Sequence, residues 1–502
     1  MITRLLSKNI KEKLFKGKTI VLIGPRQVGK TTLLQNFIKD YEDVLWLNAD
    51  EKDVRAIFDN PSATGFKKEF GSAKILVIDE AQRIKDIGVK LKLITDQIKD
   101  IQLIVTGSSA FELANEVKEP LTGRKWEYKM YPISFEEMVN HHGLLEEKRL
   151  LKHRLVYGYY PDIVTAEGDE KEILKQLSDS YLYKDLLTWN KIQKSDKIIK
   201  LLQALAFQVG NQVSYNELGQ TTGLDSKTVE TYIQLLEQAF IVFRLGTFNR
   251  NLRTELKKTR KIYFYDNGIR NALIANFQQV ELRQDMGALW ENFMIAERMK
   301  FNDYHSKWVN RFFWRTQAQQ EVDYIEETDG QLFAYEFKWN VKGKGKITKA
   351  FTNAYPNAIT QIITPANFEE FLLKKGMQEI NTHIKNYCFN YIKEFSENND
   401  SFKYGLSVFS NEHVESRELK DNHSYVNVSI GEKGVNPNSS KYVALASLTF
   451  KGKRINNKYY ISQQLNPMLK KENKILGEFE MTSLTDTKVK EFLIDFLEPF
   501  KN

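Results

Sequence analysis

Gly24-Pro25-Arg26-Gln27-Val28-Gly29-Lys30-Thr31 is the stretch on which the reading of this sequence turns. Two glycines, a lysine and a threonine stand at the G-x-x-x-x-G-K-[ST] spacing, after an apolar run at 18–23 and before helical periodicity at 31–39. Strand, tight loop and helix N-terminus in that order make a phosphate cradle, because the backbone N–H groups of residues 27–31 and the positive end of the helix dipole face the anion. Lys30 is expected to neutralise β/γ-phosphate charge and Thr31 to ligate magnesium, with Arg26 and Thr32 near enough to help. Gly24, Pro25, Gln27, Val28 and Gly29 complete the expected nucleotide-binding loop. The ligand this implies is ATP with Mg.

Outward from the loop, β-branched runs at 44–48, 74–79 and 101–106 alternate with helical patterns at 52–59 and 86–98, which predicts an α/β domain with a buried parallel sheet. Ile75-Leu76-Val77-Ile78-Asp79-Glu80 delivers two adjacent carboxylates to the carboxyl end of a strand, where open α/β sheets place ligands. Asp79 is expected to hold magnesium through its water shell, and Glu80 to orient or deprotonate an attacking water. The next strand ends in Thr106-Gly107-Ser108-Ser109, from which Ser108 is chosen as a γ-phosphate sensor. Arg124, in the loop after Gly123, is an arginine-finger candidate, in cis or across the interface of a homo-oligomer.

With Thr-Gly-Ser-Ser, Leu-Thr-Gly-Arg and Tyr-Pro-Ile-Ser-Phe-Glu-Glu also present, residues 1–140 resemble a family of prokaryotic AAA-type P-loop ATPases. Tyr157-Gly158-Tyr159-Tyr160-Pro161, Lys261 to Gly268 and Gly287 to Phe293 resemble the C-terminal domain usually fused to that ATPase, so the resemblance covers about residues 1–385. It implies an AAA-like sheet (1–140) and a helical lid or linker (141–206), then a winged helix-turn-helix (207–284) and a restriction-endonuclease-like α/β domain (285–385). Residues 386–502 lie outside the resemblance and read as a further α+β module, with strands near 403–409, 424–430 and 441–449 and a closing helix near 484–498.

Two downstream patterns carry chemistry. Asp323, followed by Glu336-Phe337-Lys338 on a second strand joined through Asp329-Gly330, resembles a PD-(D/E)xK nuclease arrangement, although Val322 stands where the proline would be. Glu336 and Lys338 share a strand face, so that Asp323, Glu336 and Glu291 from a preceding helix form a candidate divalent-metal set with Lys338 positioning a water. The alternative is an exposed hairpin with ordinary surface charges. In the helix-turn-helix, Gly223 ends one helix and Asp225 or Ser226 caps the next, which would bring Lys227, Thr228 and Glu230 near DNA, with Arg244, Arg250 and Arg253 on the wing side. Lys257-Lys258-Thr259-Arg260-Lys261 suits phosphate contact, or a solvated loop.

Composition bounds the rest. The 502 residues exceed one ordinary core, the net charge of +8 mildly favours polyanionic partners such as DNA, and no apolar run is long enough to span a bilayer. A single cysteine, Cys388, excludes an intramolecular disulfide, and the start of the chain lacks a leader pattern, so a cytoplasmic protein is expected. His141 and His142 are adjacent rather than at zinc spacing.

Overall fold

Thr19–Ile23 (β1), Ile75–Asp79 (β3) and Gln102–Gly107 (β4) are buried along their whole length, as strands covered by helices on both faces must be. With Val44–Asn48 (β2) and Lys125–Lys129 (β5) they form a sheet of order β2-β3-β4-β1-β5 in which every pair is parallel. The computed structural model describes residues 2–107, 120–187, 195–249, 259–340 and 346–373, together with 387–388, 391, 404–411, 423–432, 446–453, 458–465, 473–480, 490 and 493–494. β5 is an edge strand with half-exposed Trp126 and Tyr128 between charged residues, a pattern without the continuous apolar run that marks its neighbours.

Beyond β5 the chain turns helical through Phe135–His142, Leu144–Tyr157, Pro161–Val164 and Glu170–Leu187 to Ser195–Phe207. Ser134 and Glu137 form a reciprocal capping box at the first of these helices. Gln212–Val213 (β6), the helices Tyr215–Thr222 and Ser226–Gln238, Val242–Thr247 (β7) and Arg260–Phe264 (β8) follow. Gly223, at φ +66°, closes the first helix and Asp225 caps the second by accepting from Thr228 N at 2.9 Å. The long helix Met286–Tyr304 precedes Asn310–Arg315 (β9), Glu321–Thr328 (β10), Gln331–Phe337 (β11) and Ile359–Ile363 (β12). Asp329 and Gly330, both at positive φ, make the two-residue turn between β10 and β11.

β6 to β12 are one sheet of order β12-β11-β10-β9-β7-β8-β6. β7 and β9 pair in parallel across the 284/285 border, so the helix-turn-helix region and the acid-bearing hairpin share a single sheet. All of this lies in the first of two units, Met1–Leu373; the second is Lys374–Asn502. Among its described residues the second unit holds an antiparallel meander of Tyr404–Asn411, His423–Glu432, Ala446–Lys453, Lys458–Leu465 and Asn473–Glu480. Most of the expected closing helix at 484–498 lies outside the described residues.

A buried arginine ties the first unit together. Arg4 donates from Nε to Glu137 Oε1 (3.0 Å), from one terminal nitrogen to Val28 O (2.7 Å), and from the other to Tyr131 O (2.7 Å) and Tyr304 Oη (3.3 Å). Glu137 also accepts from the backbone N–H groups of Leu5 and Ser134. Breaking a buried ion pair leaves an uncompensated charge, so Arg4→Met is expected to lower the unfolding free energy by about 3–5 kcal/mol. Urea denaturation of the full chain checks this, and a loss below about 1 kcal/mol would contradict a stabilising role.

Candidate functional site

The loop after β1 carries the first cluster. Gln27 and Gly29 adopt positive φ (+59° and +87°), and Gly29 directly precedes the helix Lys30–Ile38, so that the helix N-terminus adjoins the loop. Gly24 has a separate constraint, since a Cβ there would lie 2.1 Å from Met130 O. Lys30 is buried and donates from Nζ to the carbonyls of Gly24 (2.9 Å) and Pro25 (2.7 Å), which folds its ammonium into the loop.

Thr31 Oγ1 donates to Asp79 Oδ2 at 2.9 Å, and the Thr106 hydroxyl donates to Asp79 Oδ1. Thr106 Oγ1 in turn accepts from Glu80 N at 3.1 Å, and Gln82 Nε2 donates to Glu80 Oε2 at 2.5 Å. Thr31, Asp79, Glu80 and Thr106 thus meet at the carboxyl edge of adjacent parallel strands, where a βα sheet presents its loops. A hydroxyl and a carboxylate oxygen are hard donors that suit magnesium, and an ammonium beside a helix N-terminus suits a polyphosphate. The residues present therefore fit Mg and a nucleoside triphosphate.

Thr106 and Gln82 were not singled out by sequence reasoning. Thr106 carried a signal: β3 and β4 run parallel with Ile78 opposite Val105, so the next residues, Asp79 and Thr106, end level. Ser108 lies outside the described residues. Arg124, the arginine-finger candidate, lies away from the phosphate loop of its own chain. Its carbonyl accepts from Thr19 N at the amino end of β1, four strand residues or about 13 Å from the phosphate loop, and its Nε donates to Asp96 Oδ1 at 2.7 Å.

The downstream acids form a second cluster, differently composed from the expected metal set. Lys261 and Tyr263, alternate residues of β8, both donate to Glu291 Oε1, at 3.0 and 2.6 Å. Lys261 Nζ also contacts Glu321. Asp323 Oδ2 accepts from Phe337 N at 2.9 Å, and Lys338 Nζ donates to Glu336 Oε1 at 2.6 Å. Burial, and then the neighbouring charge of Asp323, push Glu291 up to about 7. Burial likewise raises Asp323 and Glu336, which repel one another. Among the described residues no three His, Cys, Asp or Glu side chains are grouped so as to hold a metal ion. Glu291, Asp323 and Glu336 are thus not grouped as a metal centre among the described residues, and the Lys261 ammonium, which sequence reasoning placed in a surface basic run, lies against Glu291 and Glu321.

On the helix-turn-helix, Lys227 is exposed, Thr228 is held by Asp225, and Glu230 pairs with Arg260 at 3.3 Å. Arg244 is engaged with Glu237 at 2.6 Å, while Arg250, Arg253, Lys257 and Lys258 lie outside the described residues. Tyr159 and Tyr160 are buried, and Tyr157 stacks on Phe277, so these aromatics pack internally. No described helix is long and apolar enough to cross a membrane.

Residues 16–139 match a family model described as an AAA domain, and residues 148–280 and 286–395 match two described as domains of unknown function (DUF8612 and DUF4143). An uncharacterized protein of Mycobacterium tuberculosis is 24% identical over 334 residues, covering 66% of this chain and 72% of the relative. An uncharacterized protein of Methanocaldococcus jannaschii is 22% identical over 374 residues, covering 70% and 82%. Among solved structures, a Walker-type ATPase of Pyrococcus abyssi aligns with 55% of this chain and 96% of its own at 16% identity and a TM-score of 0.40. Residues 16–139 of the chain therefore carry an AAA domain.

The close approach at Gly24 yields a prediction. Gly24→Ala forces the loop away from Met130 O, with an expected loss of about 1–3 kcal/mol on thermal or urea unfolding, the usual cost of overpacking. A wild-type melting curve would show that the loop and Met130 separate freely.

Proposed function

We propose that the chain hydrolyses ATP with magnesium and couples the cycle to nucleic-acid binding or processing. The observation that carries the reading is the meeting of Thr31, Asp79, Glu80 and Thr106 beside the phosphate loop. Lys30 exchanges its bonds to the Gly24 and Pro25 carbonyls for phosphate oxygens, to which an ammonium is more strongly attracted. Thr31 and Asp79 would hold the magnesium, whose chemistry there would be to screen phosphate charge. Thr106 orients Asp79 and fixes the backbone of Glu80, whose carboxylate accepts the proton of the attacking water while Gln82 steadies its other oxygen. Ser108 is retained as the γ-phosphate sensor, and Arg124 as a finger acting only across a subunit interface of a homo-oligomer.

The helix-turn-helix with β6, β7 and β8 reads as a winged helix, and its exposed Lys227 and the net charge of +8 favour DNA as the partner of a cytoplasmic protein. A second reading, a nucleotide-controlled switch acting on protein partners, is favoured by Arg4. Its guanidinium joins the loop carbonyl of Val28 to Tyr304 on the helix Met286–Tyr304.

ATP hydrolysis by wild type, Lys30→Ala and Glu80→Gln, with and without duplex and single-stranded DNA, tests both. Losses of about 10²–10³-fold for Lys30→Ala and about 10²–10⁴-fold for Glu80→Gln are expected. Wild-type activity equal to that of Lys30→Ala would sink the ATPase reading. Stimulation by DNA that weakens steeply with salt supports the nucleic-acid role, and indifference to DNA transfers the weight to the switch.

A further inference from the structure

The acid cluster of the seven-stranded sheet already contains a cation of its own. Lys261 sits on β8 between Gln212 of β6 and Leu245 of β7, so its backbone is held from both sides and its side-chain direction is set by the strand. Its stem is buried, and its ammonium lies 5.5 Å from the centroid of the Phe313 ring, 3.0 Å from Glu291 Oε1 and in contact with Glu321, with Asp323 in the same field. Arg315 takes the other oxygen of Glu321 at 3.0 Å, and Lys338 takes Glu336 Oε1 at 2.6 Å. The acids therefore face three cationic groups of the same chain, which leaves little surplus negative charge to draw a divalent ion out of its hydration shell. One feature would suit a metal: Glu336 Oε2 is buried with no hydrogen-bond partner. That single oxygen stands against an ammonium fixed among the other donors.

We propose that Lys261 takes the place of a divalent metal among Glu291, Glu321 and Asp323, so that this region binds no divalent cation while the lysine is present and acquires a site for one when its charge is removed. The resemblance to a nuclease arrangement implies a metal there, and the residues present do not fit it. Lys261 instead neutralises the acids from a strand of the neighbouring helix-turn-helix region and thereby clamps β8 to the helix Met286–Tyr304 through Glu291.

The test is a titration of the full chain with Mn²⁺ alone, without nucleotide, followed by electron paramagnetic resonance. Four proteins are compared: wild type, Asp323→Asn, Lys261→Met and the double variant, each with its fold checked by circular dichroism. Any weak binding at Thr31 and Asp79 is common to all four, so the outcome is independent of the ATPase reading. Wild type and Asp323→Asn are expected to bind Mn²⁺ equally, whereas Lys261→Met gains a bound ion that the double variant loses. Mn²⁺ binding by wild type that Asp323→Asn abolishes would overturn the proposal, and so would a folded Lys261→Met that gains none. Should Lys261→Met fail to fold, the comparison of wild type with Asp323→Asn still decides whether the native region takes a divalent cation.

Discussion

The guanidinium of Arg4 is the interaction on which the first unit depends. Four acceptors converge on it: a carboxylate, two main-chain carbonyls and a phenol, drawn from the phosphate loop, the segment just after β5, the helix Phe135–His142 and the helix Met286–Tyr304. Arginine alone among side chains offers a rigid, permanently charged fork with donors in several directions, and a lysine would leave buried carbonyls unsatisfied. An orphaned acceptor in a dry interior costs more than a typical hydrogen bond contributes, so the four elements keep their spacing together.

That arrangement makes the phosphate loop a structural neighbour of the downstream region rather than an isolated module. Tyr304 Oη accepts from Tyr131 N, Asn9 donates to Tyr304 O, and Glu297 accepts from Phe135 N, so one face of the helix Met286–Tyr304 is wired to both ends of the parallel-sheet domain. Displacing Val28 displaces an acceptor of Arg4, and the guanidinium cannot follow it without loosening Tyr131 or Tyr304. A hydrogen-bonded chain of this kind is the physical link that a conformational signal between the regions would have to cross.

Much of this was legible in the residues. Four of the five strands of the parallel sheet show as β-branched runs, and Asp329-Gly330 and Gly223 with Asp225 announce their turn and caps through φ preferences that few residues share. The loop lysine, the threonine after it and Asp79 were legible because strand and helix periodicity fix which end of the sheet they reach. β5 was not, since an edge strand with Trp126 and Tyr128 among lysines has no apolar run to mark it. Arg4 and Lys261 were illegible for a different reason: a basic residue near a chain start or within a basic run looks solvated until the tertiary fold brings acids to it. The position of Arg124 depended on strand order, which puts its backbone beside Thr19 at the far end of β1.

The parallel pairing of β7 with β9 has a bearing on how the chain can be divided. Gly246 and Thr247 lie beside Phe312 and Phe313, and Phe248 N donates to Phe313 O at 2.6 Å, so a cut at 284/285 splits a sheet rather than a linker. Each fragment would then carry a raw strand edge flanked by aromatic side chains, the kind of surface that recruits a second copy of itself. Insolubility of either half expressed alone would therefore reflect the torn sheet, and recombination between relatives would be expected to exchange residues 212–363 as one block.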